Sequence, residues 1–168
     1  MGVFTGLKLY EIYMAAGVPK GVFHFLSGPG SVVGDEIVNH PDVAGITFTG
    51  SYEVGMGIYK GFAKDFPKPV ICEMGGKNLT IVTDKADLDK ATDGVLRSAF
   101  GFGGQKCSAN SRVYVHRSVY DEFVLRLKDK AENVKIGDPL DRDVYLGPVI
   151  DEGAVATFED ASNEAKKN

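Results

Sequence analysis

Short, β-branched apolar runs alternate with helix-length amphipathic stretches along most of this chain. Connections of that kind join neighbouring strands in the same direction, so the pattern reads as an α/β fold, a parallel sheet with flanking helices. The spacing predicts a helix from Thr5, as its cap, to Ala16, with Leu9, Ile12, Tyr13 and Ala16 in one stripe. Gly17 and Pro19 stop it. A strand is expected over Gly21–Leu26, a turn over Ser27–Gly30, and a second helix from Ser31, as its cap, to Asn39. A strand from Val43 to Thr49 follows, then a helix from Ser51 to about Ala63 with Val54, Ile58, Tyr59 and Phe62 inward. Pro69–Cys72 is a further short strand.

The rhythm continues beyond the double glycine at 75–76, the expected boundary of the two parts. Leu79–Val82 reads as a strand. Asp84 is expected to cap a helix through Phe100, with Leu88, Ala91, Val95 and Ala99 inward. Arg112–His116 alternates as a half-buried strand. Ser118 opens an amphipathic helix with Tyr120, Phe123, Val124, Leu127 and Ala131 inward. A polar loop over 133–143, a short apolar piece over Tyr145–Ile150 and an alanine-rich helix over 151–166 complete the chain.

One stretch stands apart from this scaffold: Gly101-Phe102-Gly103-Gly104-Gln105-Lys106-Cys107-Ser108-Ala109. Its glycines permit backbone turns that side chains would block. The Cys107 thiol then sits on a loop between regular elements, where reactive groups usually sit. Only a thiolate reacts, and loop amides stabilise one. The alternative is an inert structural cysteine.

The 168 residues carry a formal net charge of -4 with scattered basic side chains, so nothing points to nucleic acid. No apolar run approaches a membrane span. Cys72 and Cys107 form neither a disulfide framework nor a CxxC pair, which favours a reducing compartment, the cytoplasm. His24, His40 and His116 lack metal-ligand spacing, and no metal is expected.

Three further stretches can carry chemistry. Gly28-Pro29-Gly30-Ser31-Val32-Val33-Gly34 places a glycine turn between strand and helix. It offers free amides to an anion such as a dinucleotide phosphate. Its GxGxxxG spacing is one residue longer than the Rossmann fingerprint, so a plain turn is the other reading. In Phe48-Thr49-Gly50-Ser51, Ser51 caps a helix with or without a bound phosphate. In Glu73-Met74-Gly75-Gly76-Lys77, a carboxylate ends an apolar strand. Partial desolvation would raise its pKa and make it a base; pairing with Lys77 is the bland alternative. One strand and one helix join Glu73 to Cys107, a connection able to bring both to the same end of a sheet.

The order glycine turn, FTGS, EMGGK and FGGQKCSA resembles the aldehyde dehydrogenase superfamily from about residue 5 onward. Gly-Gln-Lys-Cys-Ser-Ala looks closest to its glutamate-semialdehyde branch, the Δ1-pyrroline-5-carboxylate dehydrogenases. Asn110 is a departure, since that branch often has cysteine there. The resemblance implies a Rossmann-like NAD(P)-binding part over 1–74 and part of a catalytic domain over 75–168. It implies Cys107 as the nucleophile that forms a thiohemiacetal and then a thioester, and Glu73 as the base that activates water to release the acid. Gly30, Gly34, Gly50, Ser51 and Met74 fall at cofactor positions, and Ser108 at one near the substrate carboxylate. NAD or NADP is the implied cofactor and a small aldehyde the substrate.

Family chains are longer at both ends, so the resemblance covers a central fragment. Missing with the ends are the asparagine that completes the oxyanion hole and the lysine that holds the adenine ribose. A sheet cut in this way exposes edges and an apolar face, so self-association or a complementing chain is expected. Little dehydrogenase activity and weak NAD binding are expected of the chain alone. Two other classes compete: a non-catalytic relic serving assembly, and a cysteine-dependent esterase or acyl-transfer activity.

Overall fold

A computed structural model describes residues 2–167. The chain forms two compact units, Met1–Met74 and Gly75–Asn168. In the first, helix α1 (Val3–Ala15) is followed by an irregular stretch, a π-helical turn (Gly30–Gly34) and the short helix α2 (Asp35–Asn39). Strand β1 (Ile46–Gly50), helix α3 (Tyr52–Gly61) and strand β2 (Val70–Met74) then make one parallel β-α-β unit. The register sets Ile46 opposite Val70 and Gly50 opposite Met74. At the strand entrances the Ile46 N–H donates to the Pro69 carbonyl at 3.0 Å. Helix α3 packs on both strands, with Phe62 and Gly55 buried. The Lys68 ammonium lies 4.8 Å from the Phe62 ring and 4.9 Å from the Phe66 ring, and donates to the Val43 carbonyl at 3.0 Å.

The second unit repeats the plan. Strand β3 (Asn78–Val82), helix α4 (Leu88–Phe100) and strand β4 (Asn110–Val115) form a parallel pair with its crossover, and helix α5 (Tyr120–Glu132) packs on α4. Helix α6 (Glu152–Lys167) closes the described chain. Val82, Val95 and Phe123 form the core, flanked by Leu88, Ala91, Val113, Val115 and Leu127. Val82 and Val113, Val115 point inward because side chains alternate along a strand. Leu79, Ile81 and Tyr114 therefore fall on the other face and are exposed. Thr92 is fully buried between the helices, its hydroxyl donating to the Leu88 carbonyl at 2.8 Å. Arg126 pairs with Asp89 at 2.7 Å, and Lys130 with Asp93 at 2.5 Å, joining α5 to α4.

The α/β class and the parallel pairing are as the sequence pattern implies, and several local expectations need correction. Gly21–Leu26 is not a strand. The Phe23 ring instead packs on Tyr10 and Tyr13 of α1, at 5.8 and 5.0 Å between centroids. Thr5 lies inside α1, whose N-cap is Gly2. Ser31 caps nothing; the Pro29 carbonyl takes the Val32 and Val33 N–H groups and starts a π-turn. Asp87, not Asp84, caps α4, because Thr83–Ala86 first closes a turn of its own. Ser118 sits in a short 3-10 turn, and the His116 imidazole accepts its N–H. Val54, Tyr59, Tyr120 and Val124 are exposed rather than inward. Within the apolar piece Tyr145–Ile150, Leu146 makes a single bridge to Ile136.

Candidate functional site

In the first unit, Gly50, Ser51, Glu73 and Met74 share the C-terminal end of the parallel pair β1–β2. Ligands of open parallel sheets bind at that end. Ser51 has extended backbone and its Oγ accepts the Val54 N–H at 3.3 Å, so it is the N-cap of α3. The Tyr52 and Glu53 amides lack an intrahelical acceptor and stand at the positive helix end, suited to an anionic group. Glu73 is opposite Thr49 and exposed. Met74 is half-buried against α3 near Gly55. Cys72 is half-buried too, its thiol donating to the Gly55 carbonyl at 3.4 Å, which gives it a packing role.

Gly30 and Gly34 bracket the π-turn. No atom lies within 4 Å of where a side-chain carbon on either would stand, so the turn presents bare backbone with room above it. Bare backbone at Gly30 and Gly34, and the capped start of α3, fit a dinucleotide phosphate in chemistry.

In the second unit, α4 runs directly into the cysteine turn. Phe102, Gly103 and Gly104 have φ of 56°, 64° and 71°, three consecutive left-handed residues. A bulky side chain rarely adopts that region, and strain of this kind gathers at functional sites. The Phe102 carbonyl accepts from both the Gln105 N–H, at 3.2 Å, and the Gln105 side chain, at 3.1 Å. A side-chain carbon on Gly104 would meet the Ala99 carbonyl at 2.9 Å, so glycine is needed there twice over. The turn delivers Cys107 as an exposed, unpaired thiol, with Ser108 exposed beside it. The Cys107 carbonyl lies against Gly76, at the approach to β3.

Three contacts that the sequence did not disclose secure the exit of this turn. Asn110 donates from its side-chain amide to the Thr80 hydroxyl at 2.8 Å and to the Arg112 carbonyl at 3.0 Å. Ser111 donates to the Asn78 carbonyl at 3.2 Å. The β3–β4 register shifts at this point, so that Asn78 faces Asn110 while Leu79 faces Arg112.

An exposed thiol on a glycine turn, in the second unit, and a carboxylate at the exit of a parallel strand, in the first, are each groups of the kind that thiol-dependent α/β enzymes use. Residues 1–168 match the Aldehyde dehydrogenase family, and the chain belongs to that family. Among relatives, 1-pyrroline-5-carboxylate dehydrogenase 1 of Halalkalibacterium halodurans is 49% identical over 152 residues, 88% of this chain and 30% of the relative. Among solved structures, a 1-pyrroline-5-carboxylate dehydrogenase from Thermus with bound NAD superposes with a TM-score of 0.82 at 42% identity. That match covers 90% of this chain and 30% of the Thermus chain. Proline utilization A from Bdellovibrio bacteriovorus, inactivated by N-propargylglycine, superposes with a TM-score of 0.89 at 46% identity, covering 96% of this chain and 17% of the other. The chain thus spans about 30% of the length of the dehydrogenases it matches. Among the described residues no helix is long and apolar enough to cross a membrane.

Proposed function

We propose that this chain carries the reacting groups of an NAD(P)-dependent aldehyde dehydrogenase of the glutamate-semialdehyde type, with residues 1–74 part of the cofactor domain and 75–168 part of the catalytic domain. The observation that carries the reading is the exposed Cys107 thiol on its strained glycine turn. Cys107, as thiolate, attacks the aldehyde carbon, and the carbonyl oxygen becomes an oxyanion that the Cys107 N–H helps to hold. NAD or NADP, held there, would accept the hydride whose loss from the thiohemiacetal carbon leaves a thioester on Cys107. Glu73 takes a proton from water as that water attacks the thioester carbon; the C–S bond breaks, glutamate leaves and the thiol is restored. Gly30, Gly34, Gly50, Ser51 and Met74 hold the cofactor, and the Ser108 hydroxyl donates to the substrate carboxylate.

The relatives' names support the substrate class. The exposed Leu79, Ile81 and Tyr114 support association with a second copy or a complementing chain. The test follows NAD reduction by glutamate semialdehyde, with the chain alone and co-expressed with polypeptides carrying the remaining family segments. Little activity alone, and activity on complementation that Cys107→Ser abolishes, is the expected result. Reduction that survives Cys107→Ser, or none in either arrangement, would remove the reading.

A further inference from the structure

The cysteine turn closes on itself: its hydrogen bonds run from Gln105 to Phe102, Lys106 to Gly104 and Ala109 to Lys106. Its link to the sheet is made just beyond, where β4 begins with an irregularity. Asn78 pairs with Asn110 and Leu79 with Arg112, so Ser111 is an extra residue on β4. Such a bulge re-aims the chain on either side of it. It is closed from three directions. One amide hydrogen of Asn110 crosses to Thr80, the other arches over Ser111 to the Arg112 carbonyl, and the Ser111 hydroxyl reaches Asn78. Asn110 and Thr80 are both half-buried, so their hydrogen bond is shielded from water on part of its surface.

We propose that Asn110 and Thr80 are positioning residues for Cys107: their hydrogen bond locks the bulge three residues past the thiol and so fixes the angle at which the cysteine turn leaves β4. The inference rests on the reading of Cys107 as the nucleophile, and extends it to two residues that touch no reacting atom. A loose bulge would let the Cys107 carbonyl drift from Gly76 and change where the turn sets the thiol.

The test uses the full chain carrying Cys72→Ser, which leaves one thiol, with Asn110→Ala, Thr80→Val, the double variant and Thr80→Ser. Amide hydrogen exchange over residues 105–111 reads the lock. Thr80→Val, which removes one hydrogen bond, is expected to raise it roughly 10-fold; Asn110→Ala, which also removes the bond to the Arg112 carbonyl, raises it at least as much, the double variant no more than Asn110→Ala, and Thr80→Ser stays close to the parent. The rate of Cys107 alkylation by iodoacetamide reads the consequence. It is expected to fall about 10-fold in both deletions and to stay at the parent value in Thr80→Ser. Unchanged local exchange, exchange raised equally across the whole unit, or an alkylation rate that the deletions leave at the parent value overturns the positioning role. A parent thiol alkylated no faster than in the urea-unfolded chain strikes the nucleophile reading itself, and exchange alone then decides whether the lock exists.

Discussion

The carbonyl oxygen of Cys107 stands 3.3 Å from the point where a side-chain carbon on Gly76 would be. The turn that presents the thiol and the approach to β3 therefore meet backbone to backbone. Asn78 Oδ1, at 2.9 Å from the same point, is the end of a flexible side chain and can swing away; the Cys107 carbonyl cannot without moving the turn. Gly76→Ala is expected to slow alkylation of Cys107 about 10-fold while leaving the far-UV circular dichroism intact, since displacements near 1 Å at a reacting group carry costs of this order or larger. An alkylation rate equal to the parent would show that the turn yields freely.

Removing the thiol and removing the carboxylate are expected to differ in kind. In a complemented, active assembly, Cys107→Ser abolishes formation of the acyl-enzyme. Glu73→Gln permits the thioester to form and slows its hydrolysis by about 10²-fold or more, the usual weight of general-base assistance. Mass spectrometry of the quenched enzyme separates the two, since acylated protein should accumulate only in Glu73→Gln. Ester hydrolysis unaffected by Cys107→Ser would exclude a cysteine-dependent esterase activity as well.

The Phe102 backbone holds a left-handed conformation with 68% of the residue exposed. For a non-glycine residue that conformation costs about 1–2 kcal/mol, against about 0.5–1 kcal/mol for the extra unfolded freedom of glycine. Phe102→Gly should leave stability unchanged or raise it by up to about 1 kcal/mol in urea unfolding. A clear loss would mean that the ring itself contributes contacts that outweigh the strain.

Asp87 caps α4, accepting the Asp89 and Lys90 N–H groups at 3.1 and 3.2 Å. The Lys90 N–H holds its carboxyl below the ordinary 3.8, desolvation opposes this, and the Lys90 charge adds to the lowering. A folded pKa below the unfolded one gives stability that is complete above the unfolded value and lost as pH falls through the folded one. Asp87→Ala should therefore lower the thermal midpoint by about 2–4 °C near neutrality. The gap should narrow in acid below about pH 3.8, and a gap constant down to about pH 2 would contradict the assignment.

Phe123 is 2% exposed and joins α5 to Val82 and Val95. Phe123→Ala should cost about 3–5 kcal/mol. Phe62→Ala, in the other unit, should leave the exchange protection of β3 and β4 as it was. Equal loss of protection in both units from either substitution would show that they unfold together.

The strands after residue 43 were legible because apolar β-branched runs bounded by glycine and proline leave little freedom in where a strand lies. The expected strand at Gly21–Leu26 failed because composition does not reveal a partner, and the Phe23 ring found α1 instead. Two aspartates three residues apart competed to start α4. The outcome depended on whether Thr83 would close a turn, which only the folded chain shows. The candidate site residues were legible as an ordered set of motifs, each ambiguous alone. The left-handed Phe102 left no trace, since phenylalanine gives no warning of that conformation. Asn110 was visible as an oddity, but its partner Thr80 depended on a one-residue register shift between strands far apart in sequence.

Strands β1 and β2 run in one direction, so their beginnings lie along one rim and their ends along the other. Gly45 and Pro69 press together at the first rim, with a side-chain carbon on Gly45 only 3.3 Å from the Pro69 carbonyl. Ser51 and Glu73 follow at the second. A change at the first rim thus meets a close-packed contact while a change at the second meets exposed positions, so the two ends of a single small sheet tolerate substitution differently.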